Sequence, residues 1–195
     1  LHLCDYNLET INNTTSMTTH KLLAEVCLAA KYEGDLIKTH YKQYEVQYPG
    51  SGHTTCTALA RSFADIGDIV RGRDLFYGNP QEKDQRKKLD DKLKVIFKKI
   101  HDDVTTNGKK SAEELKTRYE NDAKKNYYQL REDWWTVNRD QVWKAITCNA
   151  DTGNKYFRQT CGSGSGKTAT EAIHKCRCRD NQVPTYFDYV PQFLR

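Results

Sequence analysis

No stretch of the 195-residue sequence stays apolar for more than a few residues. A spanning helix needs about 18, so a membrane-crossing role is excluded for this segment and no membrane contact by it is expected. Apolar residues are also scarce, at 37% with a mean hydropathy of −0.87, below the usual share of about 45–50%. There is one methionine, Met17, and only four prolines. No period-2 apolar alternation is present, which argues against a strand-built fold. No C-x-x-C pair occurs, which weighs against thioredoxin-like and zinc-ribbon chemistry. What is plentiful is aromatic: three Trp, twelve Tyr and six Phe. Such side chains bury large areas and make wholesale disorder untenable. The length fits about one domain.

Seven cysteines, an odd number, are spread along the chain: Cys4, Cys27, Cys56, Cys148, Cys161, Cys176 and Cys178. Scattered cysteines with a clustered tail suit a disulfide framework in an oxidising compartment. All seven are disulfide candidates, and spacing does not fix their pairing. Reduced, buried cysteines in a cytosolic chain are the plainer alternative. The first residue is not Met and no signal-peptide pattern follows. The chain therefore reads as cut from something longer, and the odd cysteine is expected to pair outside it. Asn12 and Asn13 head adjacent glycosylation sequons, which matter only in a host that uses them.

Helical periodicity dominates the rest. A helix is expected from Thr19, with Leu22, Val26, Ala29 and Ala30 on one face. Gly34 interrupts the pattern, and Leu36, Ile37, Tyr41 and Tyr44 resume it. Residues 48–53, YPGSGH, read as a loop. In 56–72, Leu59, Phe63, Ile66 and Val70 form one stripe, and Gly72 stands at the C′ stop position. Residues 81–104 carry a third helix, with Leu89, Leu93, Ile96, Phe97, Ile100 and Val104 on its apolar face. A fourth opens at a capping box, Ser111 with Glu114, and runs its stripe through Leu115, Tyr119, Tyr127, Leu130 and Trp134. Asn138 is the expected cap of a further helix bearing Val142, Trp143 and Ile146. Residues 149–170 read as a long loop, with a short helix near Thr170–Cys176. The fold class is mainly α: long helices in a bundle, with long loops, stapled by disulfides.

Motifs for catalysis are missing. The run GSGSGKT at 162–168 approaches a phosphate-binding loop, but Cys161 stands where the first glycine belongs and no apolar strand precedes it. It reads as a flexible surface loop. His174, Cys176, Cys178 and Cys161 offer zinc ligands, yet C-x-C spacing suits paired disulfides better. No His, Ser, Cys and carboxylate set recurs in a catalytic pattern. No enzyme activity, metal or cofactor is expected.

Charge is more informative. The net +5 is uneven. Residues 81–110 hold ten Lys/Arg against six Asp/Glu, and residues 155–179 hold six against one. On the third helix Lys83, Lys87, Lys94 and Lys98 fall within about 60° of one another at 100° per residue. Asp91 dilutes that face, and Lys109 and Lys110 extend the basic surface past its end; Lys88 is a further candidate contact. Together these are the candidate contacts for a polyanion such as a sulfated glycan. A solvated, locally neutralised helix face is the plainer reading. Nucleic acid is not an expected partner, since no module signature for it is present.

Four blocks in order carry a resemblance. They are LLAEVCLAAKYEG (22–34), LARSFADIGDIVRGRDLF (59–76), REDWWTVNRDQVWKAITC (131–148) and TYFDYVPQFLR (185–195). They closely resemble Duffy-binding-like domains of the alpha type, from the Plasmodium falciparum erythrocyte membrane protein family encoded by var genes. Four cysteines between the second and last blocks are similar to the commoner alpha-type variants. The family has segments before and after these blocks, so the resemblance implies a partial domain lacking the third subdomain. Residues 1–57 would be its first subdomain and the start of the helical core, and 58–195 its second, helical subdomain. It implies an adhesin, not an enzyme, in the extracellular part of a membrane protein exported to the infected red-cell surface. Implied partners are host cell-surface receptors, heparan sulfate or blood-group glycans, and antibodies, with roles in rosetting, cytoadherence and antigenic variation. The alternative is an immune-exposed scaffold whose neighbours do the binding. Within the second block, Arg61, Asp65, Asp68, Arg71, Arg73 and Asp74 are expected to form ion pairs between helices. Trp134, Trp135 and Trp143 are expected to be core anchors.

Overall fold

The computed structural model describes residues 8, 18–47, 55–75, 78–106, 112–156, 158–162 and 169–195. Five α-helices account for most of them: α1 (Thr19–Gln47), α2 (Thr55–Arg71), α3 (Pro80–Thr106), α4 (Ala112–Tyr119) and α5 (Tyr128–Ile146). A single core joins α1, α2, α3 and α5 around Phe63, Trp135 and Trp143. The mainly α reading holds, and the three tryptophans are core anchors. Trp135 and Trp143 are fully buried, and Trp134 packs edge-on against Phe97.

Of the stripe expected from sequence α1 buries Leu22, Val26, Ala29, Ala30 and Ile37, while Leu36, at the edge of that face, is exposed and Tyr41 is only half-buried. The helix also continues unbroken through Gly34, where the pattern implies an interruption. A Cβ at Gly34 would sit 2.0 Å from the backbone oxygen of Ile146. The glycine is there because the end of α5 presses against the α1 backbone, not because the helix stops. α2 ends as its sequence predicts. Gly72 has φ +73, its N–H donates to Ile69 O, and Arg73 N–H donates to Asp68 O, which together close a Schellman motif. α3 starts with Pro80 in the first turn, and the Asn79 side chain accepts from Glu82 N–H.

The expected continuous stripe from Leu115 to Trp134 is broken. α4 stops at Tyr119, a 3-10 turn spans Ala123–Lys125, and Asn126 and Tyr127 are left-handed. The Asp122 carboxylate accepts from Gln129 N–H and Leu130 N–H, so it captures the first donors of α5. Asn138 is therefore not a cap. It lies buried inside α5, with Nδ2 donating to Trp134 O. Ser111, the other half of the expected capping box, is outside the described residues, as is the loop at 48–53.

Two strands were not foreseen. β1 (Gln159–Cys161) pairs antiparallel with β2 (Thr170–Glu171), where a loop and a short helix were expected. The backbone of the tail bonds to another segment instead of to itself. Tyr156 N–H donates to Ala172 O, and Cys176 N–H donates to Asn154 O. Those bonds replace the i to i+4 ladder a helix would need.

Buried ion pairs hold the closing segment to the bundle. Asp188, 1% exposed, accepts from Trp135 Nε1 and from two nitrogens of Arg139 at 2.8 Å each. Its backbone oxygen accepts from Arg71. Arg131 bonds Val70 O, Ile69 O and Asp90, and so joins α2, α3 and α5. Arg195 pairs with Asp65 at 2.9 Å and with Asp68. Of the pairs expected in the second block, Asp65, Asp68, Arg71, Arg73 and Asp74 take part, while Arg61 stays exposed on the surface.

Candidate binding surface

The outer face of α3 lies opposite Leu89, Leu93, Ile96, Phe97 and Ile100, which the core takes. Lys83, Lys87, Lys88 and Lys98 are exposed on it and Lys94 is half-buried. Most of this positive charge is met locally. Lys88 pairs with Asp84 at 2.6 Å, Lys98 with Asp102 at 3.1 Å, and Lys94 with Asp90 at 2.9 Å and Asp91 at 3.5 Å. The bonds to Asp90 and Asp102 raise the Lys94 and Lys98 ammonium groups above the ordinary lysine range. Asp102 is held low chiefly by its bond to Lys98. Burial pushes Asp90 up, but bonds to Lys94 and Arg131 outweigh it and leave it low. Pairs of this kind on an exposed helix add little to stability. Lys83 and Lys87, one turn apart, have no carboxylate partner among the described residues. Lys109 and Lys110 lie outside those residues. Among the described residues the face is therefore a row of ion pairs with a free basic end at Lys83 and Lys87.

Four cysteines form two bridges: Cys56 with Cys176, 120 residues apart in sequence, and Cys161 with Cys178, 17 apart. These bridges take Cys161, Cys176 and Cys178, three of the four groups with zinc-ligand chemistry in the tail. Among the described residues no cluster of three or more His, Cys, Asp or Glu is arranged to hold a metal. Cys27 and Cys148 correct the expectation that all seven cysteines pair, since both are free. The reason is helix register. Gly34 touches Ile146 and Lys38 bonds Asn149 O, so α1 and α5 run side by side in the same direction. Cys27 lies seven residues before Gly34, about 10 Å along the axis. A bridge to Cys148 needs Cα atoms within about 7 Å. Burial also raises the Cys27 thiol above its ordinary value. Cys4, Asn12, Asn13 and Ser163–Thr168 of the glycine-rich run lie outside the described residues.

Two surfaces were missed by sequence reasoning. One is apolar: Leu75, Tyr186, Tyr189, Phe193 and Leu194 are all more than 40% exposed. Leu75 N–H donates to the Gln192 side chain, and the Tyr186 and Tyr189 rings lie 6.4 Å apart. Their block was read as a motif, not as surface. The other is basic and is built from α1, α5 and the tail. Its residues are far apart in sequence, so no local pattern announces it. No helix among the described residues is long and apolar enough to cross a membrane.

Residues 1–195 match the family described as Duffy binding domain. Nothing among curated proteins matches the chain. Among solved structures, it is similar to the NTS-DBL1(alpha-1) domain of Plasmodium falciparum membrane protein 1 (PfEMP1) from the varO strain. That match has 43% identity and TM-score 0.72, and covers 99% of this chain and 40% of that one. It is similar to the varO NTS-DBL1-alpha and CIDR-gamma double domain at 43% identity and TM-score 0.73, covering 99% and 25%. It is also similar to a PfEMP1 DBLbeta domain solved bound to ICAM-1, at 32% identity and TM-score 0.64, covering 99% and 40%. The chain thus spans about two fifths of the solved domain it matches.

Proposed function

Because the chain belongs to the Duffy binding domain family, we propose that it is part of an extracellular adhesion module that engages host cell-surface receptors. The observation that carries this reading is its likeness, over 99% of its length, to a domain solved with ICAM-1 bound. In this reading residues 1–57 and 58–195 belong to the first and second subdomains of a larger domain. That domain is displayed on the infected red cell, antigenically variable and open to antibodies. It acts in rosetting and cytoadherence and not in catalysis. Its partners include heparan sulfate or blood-group glycans, met in part by Lys83 and Lys87 at the free end of the α3 face. Lys88, Lys94, Lys98, Lys109 and Lys110 are supporting cations. Single contacts of this kind are weak, and many copies across a cell surface add avidity.

The test is binding of the complete parent domain to red cells, with and without soluble heparin. Saturable binding that heparin reduces is expected, and no binding would overturn the adhesion reading. A variant with Lys83, Lys87, Lys94 and Lys98 all changed to Glu should bind less and lose salt sensitivity. Binding equal to wild type removes the α3 face from the site. The ion pairs along α3 favour a second reading, in which this segment is an immune-exposed scaffold and its neighbours bind. No retention of the folded chain on heparin at physiological salt, while the parent domain still binds its receptor, would support it.

A further inference from the structure

The C-terminal end of α5 and the loop after it, residues 144–151, are surrounded by cations from three separate parts of the chain. From α1, Lys38 Nζ donates to Asn149 O at 2.8 Å and to Asp151 Oδ1 at 2.6 Å. One turn on, Lys42 Nζ lies 3.9 Å from Asp151 Oδ2. From the tail, Lys175 Nζ donates to Cys148 O at 3.2 Å. Arg177 donates to Thr147 Oγ1 at 2.7 Å and to Lys144 O at 2.6 Å. Lys144, in the last turn of α5, is itself exposed.

Five cations therefore meet at one pole of the bundle. Among the described residues, the carboxylates bonded to this segment are Asp151 and Asp35, the latter accepting from Asn149 Nδ2. Among these residues the excess is three positive charges, or two once Asp140, a turn earlier on α5, is counted. The end of a helix contributes only about half a negative charge. Asp151 serves several cations at once. Its carboxyl is held below the usual range chiefly by the bond to Lys38, with Lys42 and Lys175 adding to the field. On α3, by contrast, Lys88, Lys94 and Lys98 each have at least one carboxylate of their own.

The pole is also held rigid. Lys175 and Cys176 both have positive φ, +53° and +57°, a conformation non-glycine residues rarely adopt. It is kept by the Cys56–Cys176 bridge, by Cys176 N–H bonding Asn154 O, and by Trp143 Nε1 bonding Cys176 O. Backbone held in a sparsely populated region by surrounding structure is common at ligand-binding sites. Here it fixes Lys175 over the end of α5, so little ordering is left for a ligand to impose.

We propose that this pole, with Lys42, Lys144 and Lys175 as its accessible contacts, is a second binding surface for a sulfated glycan chain. A sulfated polymer is the class of anion this surface would meet. The two bridges belong to an oxidising compartment, where sulfated glycans are the abundant linear polyanions. The proposal rests on the adhesion reading and gives one of its ligands a place distinct from α3.

The test uses immobilised heparin and the full chain, comparing wild type, the pole variant Lys42→Glu/Lys144→Glu/Lys175→Gln, and Lys83→Glu/Lys87→Glu. Far-UV circular dichroism establishes that each is folded. If the pole variant misfolds, Lys42→Gln/Lys144→Gln replaces it, since both side chains are exposed. Charge neutralised at a polyanion contact shows as a salt-dependent loss of affinity. The pole variant should bind about tenfold or more weaker at physiological salt, whatever the α3 variant does. Wild-type affinity in the pole variant overturns the proposal and leaves the adhesion reading standing. No binding by wild type overturns the proposal and the glycan part of that reading together. Equal binding of wild type to duplex DNA or phosphatidylserine vesicles overturns the assignment to sulfated glycan.

Discussion

Asp188 illustrates what a single buried carboxylate does in this fold. Its side chain joins Trp135 and Arg139 of α5, while its backbone oxygen bonds Arg71 of α2. Removing its charge strands Arg139 in a buried setting, which costs about 3–5 kcal/mol. For a chain of this size each kcal/mol moves Tm by about 2–4 °C. Asp188→Asn should therefore lower Tm by about 10 °C, measured by near-UV circular dichroism; an unchanged Tm would mean that water satisfies the arginine. Asp65 behaves differently. Burial is the largest influence on it, and despite Arg195 its pKa rises from 3.8 to about 6. The fold therefore favours the protonated form. That contribution to stability is complete below about pH 4 and is lost as pH rises through about 6. Asp102, Asp133 and Asp151 act in the opposite sense, because their carboxyls are held low by their partners. The stability of wild type relative to Asp65→Asn should fall between pH 4 and pH 6.5 in urea titrations. A constant difference across that range would refute the raised pKa. None of this was legible from spacing, since a carboxylate's environment is set by residues up to 130 positions away.

At the scale of elements, legibility followed locality. The stripes of α2 and α3 and the Gly72 stop are patterns of neighbours, and they are present in the fold. Gly34 and Asn138 were misread because each is explained by a contact with another part of the bundle or by its own helix interior. Intrinsic preference would put a break at the first and a cap at the second. The small hairpin is the clearest case of tertiary control, since its strands form where the tail is bridged to Cys161 and bonded to Asn154 and Tyr156. The two bridges should differ in weight. In the chain-entropy view a 17-residue loop is worth about 3 kcal/mol, and one of 120 residues more than about 4.5 kcal/mol. Replacing Cys161 and Cys178 with Ser should lower the urea midpoint less than replacing Cys56 and Cys176. The reverse order would place the stabilising effect in the hairpin. The Cys56–Cys176 bridge also holds Lys175, so its loss should weaken the basic pole as well.

At the scale of the whole molecule, the sequence by itself determined the helical class, the core tryptophans, the family and the presence of a disulfide framework. These depend on composition, on periods of three to four residues, and on ordered blocks, all of which survive in one dimension. Tertiary structure alone decided which cysteines pair and which stay free, because bridges require Cα atoms within a few ångströms. It also decided where charge accumulates. The basic segment read most readily from the sequence, on α3, places its carboxylates three or four residues from its lysines, so the helix itself neutralises much of it. The pole at the end of α5 gathers its cations from positions 38 to 177, and only the packing of α1, α5 and the tail brings them together.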